Sequence, residues 1–158
     1  MTNMLGQAIA IAAVAHEGKT DRGGKAYILH PLKVMNSLQT EDEELQCIAI
    51  MHDVIEDSPM TLDALKALGF SKRVLSALEL LTHKVDTDLT PEKDYGEYIK
   101  KIASNRDAIL VKLADLRDNS DITRLKGLRD KDFARLQKYH RSWLYLKSVL
   151  ETMEHCGL

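Results

Sequence analysis

An all-α domain is what this sequence predicts, on three observations. Strand-type alternation is scarce, aromatic residues make up only 5% of the chain, and Ala, Leu, Lys and Glu dominate the stretches whose apolar residues recur at spacings of three and four. A length of 158 residues suffices to bury one sizeable core, so one domain over residues 1–158 with one active site is expected. A net charge of -2 provides no field to hold a nucleic-acid backbone, and duplex binding is not expected. The apolar run Ala8–Ala15 lacks a basic leader and falls well short of a membrane span. A cytoplasmic protein without a membrane partner is the expectation. Cys47 and Cys156 stand far apart and in no CxxC spacing, which suggests neither a disulfide framework nor a thiolate zinc site.

The first helix is expected from about Asn3 to Glu17, with Ala8, Ile11, Ala12 and Ala15 facing inward and Gly18 as its C′ stop. A polar loop follows, Lys19-Thr20-Asp21-Arg22-Gly23-Gly24-Lys25, too charged to be buried. Its three basic residues can meet a phosphate or form an ordinary solvated turn. His30-Pro31 opens the second helix, since proline is tolerated in a first turn, and Leu32, Val34, Met35 and Leu38 continue it. The residue before proline is restricted, so His30 is rigidly held. Alone it reads as an N-terminal polar residue, and it gains meaning only with partners.

Thr40-Glu41-Asp42-Glu43 fits a capping box, Thr40 serving the N3 amide and Glu43 reaching back, and places the central helix from Thr40 to Ser58. Leu45, Ile48 and Ala49 form its apolar face. The next turns of that face carry His52 with Asp53, then Glu56 with Asp57. Burying an unpartnered carboxylate is costly, so such a stripe faces either water or a cation. Acidic groups near a helix C-terminus also meet the macrodipole, at roughly 0.3–1 kcal/mol each. A divalent metal would reverse that sign, and His and Asp are ligands that suit Mn, Fe or Zn.

Thr61 caps a short helix to Leu68, closed by Gly69, and Ser71 caps another whose inward face is Val74, Leu75, Leu78, Leu81 and Thr82. His83 at its end is either an exposed helix-end histidine or a group supporting the site from behind. The polar loop Lys84–Leu89 leads to Thr90-Pro91, an N-cap with proline at N1, opening a helix to Ser104. From Asp107 to Arg124 the residues are apolar nearly all round, so this helix should be the most buried. Set into it are Lys112, Asp115 and Asn119. Asp115 needs a partner, which is either Lys112 or Arg117 in a salt bridge, or a metal. The last helix, about Asp132 to Cys156, packs against the rest or against a second chain, which leaves a homo-oligomer open.

Three stretches carry a resemblance. Tyr27-Ile28-Leu29-His30-Pro31-Leu32, then His52-Asp53-Val54-Ile55-Glu56-Asp57-Ser58, then Val111-Lys112-Leu113-Ala114-Asp115 with Asn119, follow the H…HD…D order of the HD-domain metal-dependent phosphohydrolases. Within that superfamily they resemble the RelA/SpoT-type (p)ppGpp hydrolase domains and the small stand-alone alarmone hydrolases, over roughly Ala8 to Asn119. The resemblance implies an all-α HD-domain bundle of about seven to eight helices. It also implies a divalent metal, Mn²⁺ foremost, held by His30, His52, Asp53 and Asp115. Glu56 and Asp57 would then stand beside the attacking water, Asn119 would fix the nucleotide, and Arg22 would meet its phosphates; Lys25, from the charge of the same loop, is a further candidate to meet them. The implied reaction removes the 3′-pyrophosphate of (p)ppGpp. Hydrolysis of another nucleotide or phosphoester, or a nucleotide-sensing module without turnover, are the alternatives.

The sequence departs from that family in the loop before the first block. Asp21-Arg22 stands where the family has Arg-Lys, and Lys25-Ala26 where Xaa-Pro is common. The family's arginine packs on the guanine base, and an aspartate cannot supply a stacking cation. At this position a different base, or none, is expected.

Overall fold

A computed structural model describes residues 3–157, and the eight helices read from the sequence are all found there. Their starts follow the capping chemistry. Helix α1 (Met4–Ala15) begins where the Asn3 side chain accepts from the Gly6 amide at 2.7 Å. Helix α2 spans Leu29–Ser37 with Pro31 in its first turn. Thr61, Ser71, Thr90 and Asn105 cap α5 (Leu62–Ala67), α6 (Lys72–Leu81), α7 (Pro91–Ile102) and α8 (Arg106–Asn119) through their side-chain oxygens. After α5 the chain reverses at Gly69, whose φ of 94° favours glycine. There the Phe70 amide reaches Leu65 O at 3.2 Å and Gly69 N reaches Lys66 O at 3.0 Å, a Schellman closure.

The central helix differs from its sequence reading at both ends. Its cap is Asp42, which accepts from the Glu44 and Leu45 amides, while the Thr40 hydroxyl accepts from Asp42 N. Glu43 does not reach back to Thr40. Its carboxylate crosses to α1 and accepts from the unpaired first-turn amide of Leu5 at 3.0 Å. The helix also breaks at His52 and Asp53 into α3 (Glu43–Met51) and α4 (Val54–Asp57), giving nine α-helices among the described residues. Toward the C-terminus, α8 stops at Asn119, and a separate 3₁₀ turn at Ile122–Arg124 starts where Asp121 accepts from Thr123 N. Helix α9 (Asp130–His155) begins two residues earlier than expected, because the Asp132 side chain reaches back to the Arg129 amide at 3.0 Å.

Helix α3, not α8, is the most buried. Six of its nine residues are inaccessible, against five of the fourteen in α8. The reason is position: α3 is packed by α1, α2, α6 and α8, whereas α8 gives one face to α9 and to a cleft. Ile48, Ile50 and Met51 are fully enclosed, each worth about 1.5–3 kcal/mol relative to exposure. Arg73 of α6 ties this packing together at the surface, with Asp42 and Asp107 each at 2.7 Å. The C-terminal end of α3, the N-terminal end of α2 and the middle of α8 thereby meet at one end of the core.

Candidate metal centre

The break after α3 builds the centre of the site. Asp53 adopts φ -103° and ψ -2°, α4 starts afresh after it, and the adjacent side chains of His52 and Asp53 converge. His52 Nε2 lies 3.1 Å from Asp53 Oδ2 and 3.7 Å from Asp115 Oδ1 of α8. His30, in the first turn of α2, places its Nε2 3.1 Å from Asp115 Oδ1 and 3.7 Å from Asp53 Oδ2. One atom each of His30, His52 and Asp53 lies within 4.8 Å of the others, and Asp115 Oδ1 faces the two imidazoles of that group.

The donor set fits a divalent cation. His52 Nδ1 donates to Ala49 O at 2.8 Å, which leaves the lone pair of the neutral ring on Nε2. That Nε2 is buried and has no hydrogen-bond partner. His30 Nδ1 is likewise engaged, at 2.7 Å from Asp118 Oδ2, an arrangement that orients a metal-binding imidazole and raises its basicity. Tyr27 donates its hydroxyl to Asp53 Oδ2 at 2.6 Å, and Lys112 and Asn119 donate to Asp115 at 2.8 and 2.5 Å.

Electrostatics follow from this enclosure. Burial pushes both histidines toward the neutral form, but neighbouring carboxylates win. Asp115 and Asp118 hold His30 above its usual range, and Asp53 and Asp115 hold His52 well above it. Burial would raise Asp53 and Asp115, yet His52 keeps the first below the carboxylate range and Lys112 with the two histidines keeps the second well below it. A metal ion would take the place of the histidine protons in this balance.

Glu56 and Asp57 part company in α4. Glu56 faces a cleft of about 470 Å³ that opens beside the cluster, and its carboxylate accepts from the His83 amide. Partial burial, with Asp53 nearby, raises it above the usual carboxylate range against that hydrogen bond. Asp57 turns toward α1, its Oδ2 3.4 Å from buried His16 Nδ1 and its carbonyl accepting from Lys19. The macrodipole penalty expected from one continuous helix does not apply to this pair, which sits in a separate single turn. Partly buried Asp53, buried Asp115 and the orphaned His52 nitrogen carry the argument for a cation instead.

Arg22 lines the cleft and also its second arm, of about 780 Å³, which the 85–89 loop borders. Lys25 is exposed and outside both arms. Asn119 lines both, and its side-chain amide nitrogen donates to Asp115. His83 is neither simply exposed nor remote: its ring stacks on Tyr98 with centroids 4.5 Å apart and lies 2.8 Å from Asp94, while its amide holds Glu56. Sequence reasoning missed Tyr27, Asp118 and Arg124. Asp118 stands one turn from Asp115 on α8, a signal that could have found it.

No protein-family model matches the chain. Over 123 residues, 73% of its length, it is 35% identical to the bifunctional (p)ppGpp synthase/hydrolase SpoT of Escherichia coli. It is 31% identical over 117 residues to the guanosine-3′,5′-bis(diphosphate) 3′-pyrophosphohydrolase of Aquifex aeolicus, 72% of the chain. A probable GTP pyrophosphokinase of Mycobacterium leprae is 29% identical over 155 residues, 94% of the chain. The chain spans only 17–18% of the length of these curated relatives. A solved structure, described as a metazoan ortholog of SpoT that hydrolyses ppGpp, superposes with a TM-score of 0.73 at 21% identity, covering 100% of this chain and 98% of the other. Its fold is the same all-α arrangement.

Proposed function

The chain is a homologue of the SpoT-like (p)ppGpp hydrolases, and from that kinship we propose that it is a metal-dependent phosphohydrolase removing pyrophosphate from the 3′ position of a nucleotide. One observation carries the reading: His30, His52, Asp53 and Asp115 converge with an unpartnered buried imidazole nitrogen among them. These four residues would hold the ion, with Mn²⁺ the first choice because a mixed His/carboxylate set suits it. When bound, a divalent ion supplies Lewis acidity at a phosphoryl oxygen and lowers the pKa of water.

The chain's own groups do the rest. Glu56, raised in pKa and open to the cleft, orients the attacking water and accepts its proton. The water oxygen forms the new bond to phosphorus, the bond to the 3′-oxygen breaks, and that oxygen leaves with a proton as the hydroxyl of the product. Arg22 meets the phosphates at the mouth of the cleft. Tyr27, Lys112 and Asn119 hold the two ligand carboxylates in place. A nucleotide substrate of this kind supports a cytoplasmic location.

A second substrate reading has its own observation. Asp21, at the position of the family's base-stacking arginine, has its Oδ2 3.1 Å from Arg124, so it offers a base neither a cation nor a free carboxylate. Turnover of another nucleotide pyrophosphate by the same residues follows from that. The test is product release with Mn²⁺ from ppGpp, GTP, dNTPs and simple phosphomonoesters, comparing wild type with Asp53→Ala. Pyrophosphate from ppGpp, lost in the variant, supports the alarmone reading. Turnover of another compound alone moves the substrate, and binding without any product supports a sensor.

A further inference from the structure

Four side chains from four parts of the chain, the loop after α1, α2, α8 and the 3₁₀ turn, form one continuous path from the cleft mouth to the ligand cluster. Arg124, in the 3₁₀ turn, donates from NH2 to Asp21 Oδ2 at 3.1 Å. From NH1 it donates to Asp118 Oδ2 at 2.6 Å and to the Asp118 carbonyl at 2.9 Å. The same Asp118 Oδ2 receives His30 Nδ1–H at 2.7 Å. None of Asp21, Asp118 and Arg124 is more than 14% exposed, so water screens these ion pairs weakly.

Asp21 also organises the loop at its other oxygen. Its Oδ1 accepts from the amides of Gly23 at 2.8 Å and Lys25 at 2.9 Å, and Thr20 bridges to Ala26. The loop lies hard against residue 124 in backbone as well. A Cβ on Gly23 would stand 2.5 Å from Arg124 O.

We propose that Arg124 is a positioning residue that couples the Arg22-bearing loop to the orientation of His30, so that metal affinity and loop order depend on one guanidinium. This rests on the metal reading above. A planar fork can bridge two carboxylates in fixed directions, which a lysine ammonium cannot do. Without it, Asp118 loses the group that fixes its Oδ2, and the His30 ring loses its orienter. Loss of such an outer partner typically weakens metal binding about 10–100-fold.

The test titrates Mn²⁺ alone into the full chain by calorimetry, for wild type, Arg124→Gln, Arg124→Lys, Asp118→Asn and the Arg124→Gln/Asp118→Asn double variant, each checked by its melting transition. Amide hydrogen exchange over residues 20–26 is followed with and without Mn²⁺. Arg124→Gln is expected to weaken Mn²⁺ binding about tenfold or more, with Arg124→Lys in between. The double variant should be little worse than Asp118→Asn, because both act through His30. Mn²⁺ should slow exchange of the Gly23 and Lys25 amides in wild type and not in Arg124→Gln. Wild-type affinity in a folded Arg124→Gln, or multiplying losses in the double variant, overturns the proposal while leaving the metal reading intact. If Arg124→Gln does not fold, wild-type affinity in Arg124→Lys has the same force. A wild type that takes up no Mn²⁺ overturns both.

Discussion

Lys112 Nζ lies 2.8 Å from Asp115 Oδ2, one turn apart on α8, while Asp115 Oδ1 faces His30 Nε2 at 3.1 Å. The lysine and the metal that the sequence offered Asp115 therefore need not compete: Lys112 takes Oδ2, while Oδ1, which also accepts from Asn119, faces the imidazole. Lys112 holds one charge of compensation permanently in place, and the cluster retains a second carboxylate for an ion. Removing the lysine leaves Asp115 buried and short of a cation. Lys112→Met should destabilise the metal-free protein by about 3–5 kcal/mol, the usual loss when one member of a buried pair is deleted. Urea unfolding in EDTA and in excess Mn²⁺ checks this. Most of the loss should disappear in Mn²⁺, and an equal loss in both would show that no ion compensates Asp115.

The two histidines fix the sign of a pH effect. Their folded pKa values are raised, by Asp115 and Asp118 for His30 and by Asp53 and Asp115 for His52, against the effect of burial. A raised histidine binds its proton better when folded, so its stabilisation is complete below the unfolded value of about 6.5 and is lost as pH rises through the folded value. The metal-free protein should lose stability from neutral pH upward. Mn²⁺ must displace the same protons, so its affinity should rise over that range. Urea midpoints in EDTA between pH 6 and 9, with Mn²⁺ titrations at the same points, test both slopes. A metal-free stability that climbs with pH would contradict the charge balance described here.

Glu56 allows its chemical and structural contributions to be separated. Its carboxyl is raised above the usual range by partial burial and by Asp53, partly offset by the His83 amide. For a carboxyl, a raised folded pKa means that stability falls as pH passes from the unfolded value toward the folded one. Glu56→Gln should therefore be no less stable than wild type at pH 7, yet lose about 10²-fold or more in kcat, the scale of general base catalysis. In wild type the acid limb of kcat/KM should lie above the ordinary glutamate range. Unchanged kcat in Glu56→Gln would remove it from the reaction.

Legibility in the sequence divided along physical lines. Local chemistry was readable: Thr61, Ser71 and Thr90 cap the helices they were expected to cap, since a cap needs only its own next three residues. Glu43 was misread because a donor from α1, 38 residues away, competes for its carboxylate. The break at His52–Asp53 was invisible to periodicity, as both segments carry helical patterns and the convergence of ligands with α2 and α8 overrides them. The ligands themselves were legible through their three blocks, whereas Asp21 and Arg124 meet across 103 residues with no local signal.

Gly23 provides a probe of the same loop at a small cost in stability. Its φ is not in the left-handed region, so an added methyl meets no intrinsic backbone strain; what it meets is Arg124 O, 2.5 Å from the position of the new Cβ. A carbonyl in a 3₁₀ turn cannot swing aside as a flexible side chain does, so the loop must lift. Overpacking of this kind costs about 1–3 kcal/mol in a core and less where a loop can move away. Gly23→Ala should thus lower the melting temperature only slightly. Arg22, its immediate neighbour, would shift at the cleft mouth, and KM for the pyrophosphate substrate should rise severalfold with kcat nearly kept, the pattern of lost uniform binding. A large fall in kcat with unchanged KM would instead mean that the loop reaches the reacting atoms rather than the phosphates at the mouth.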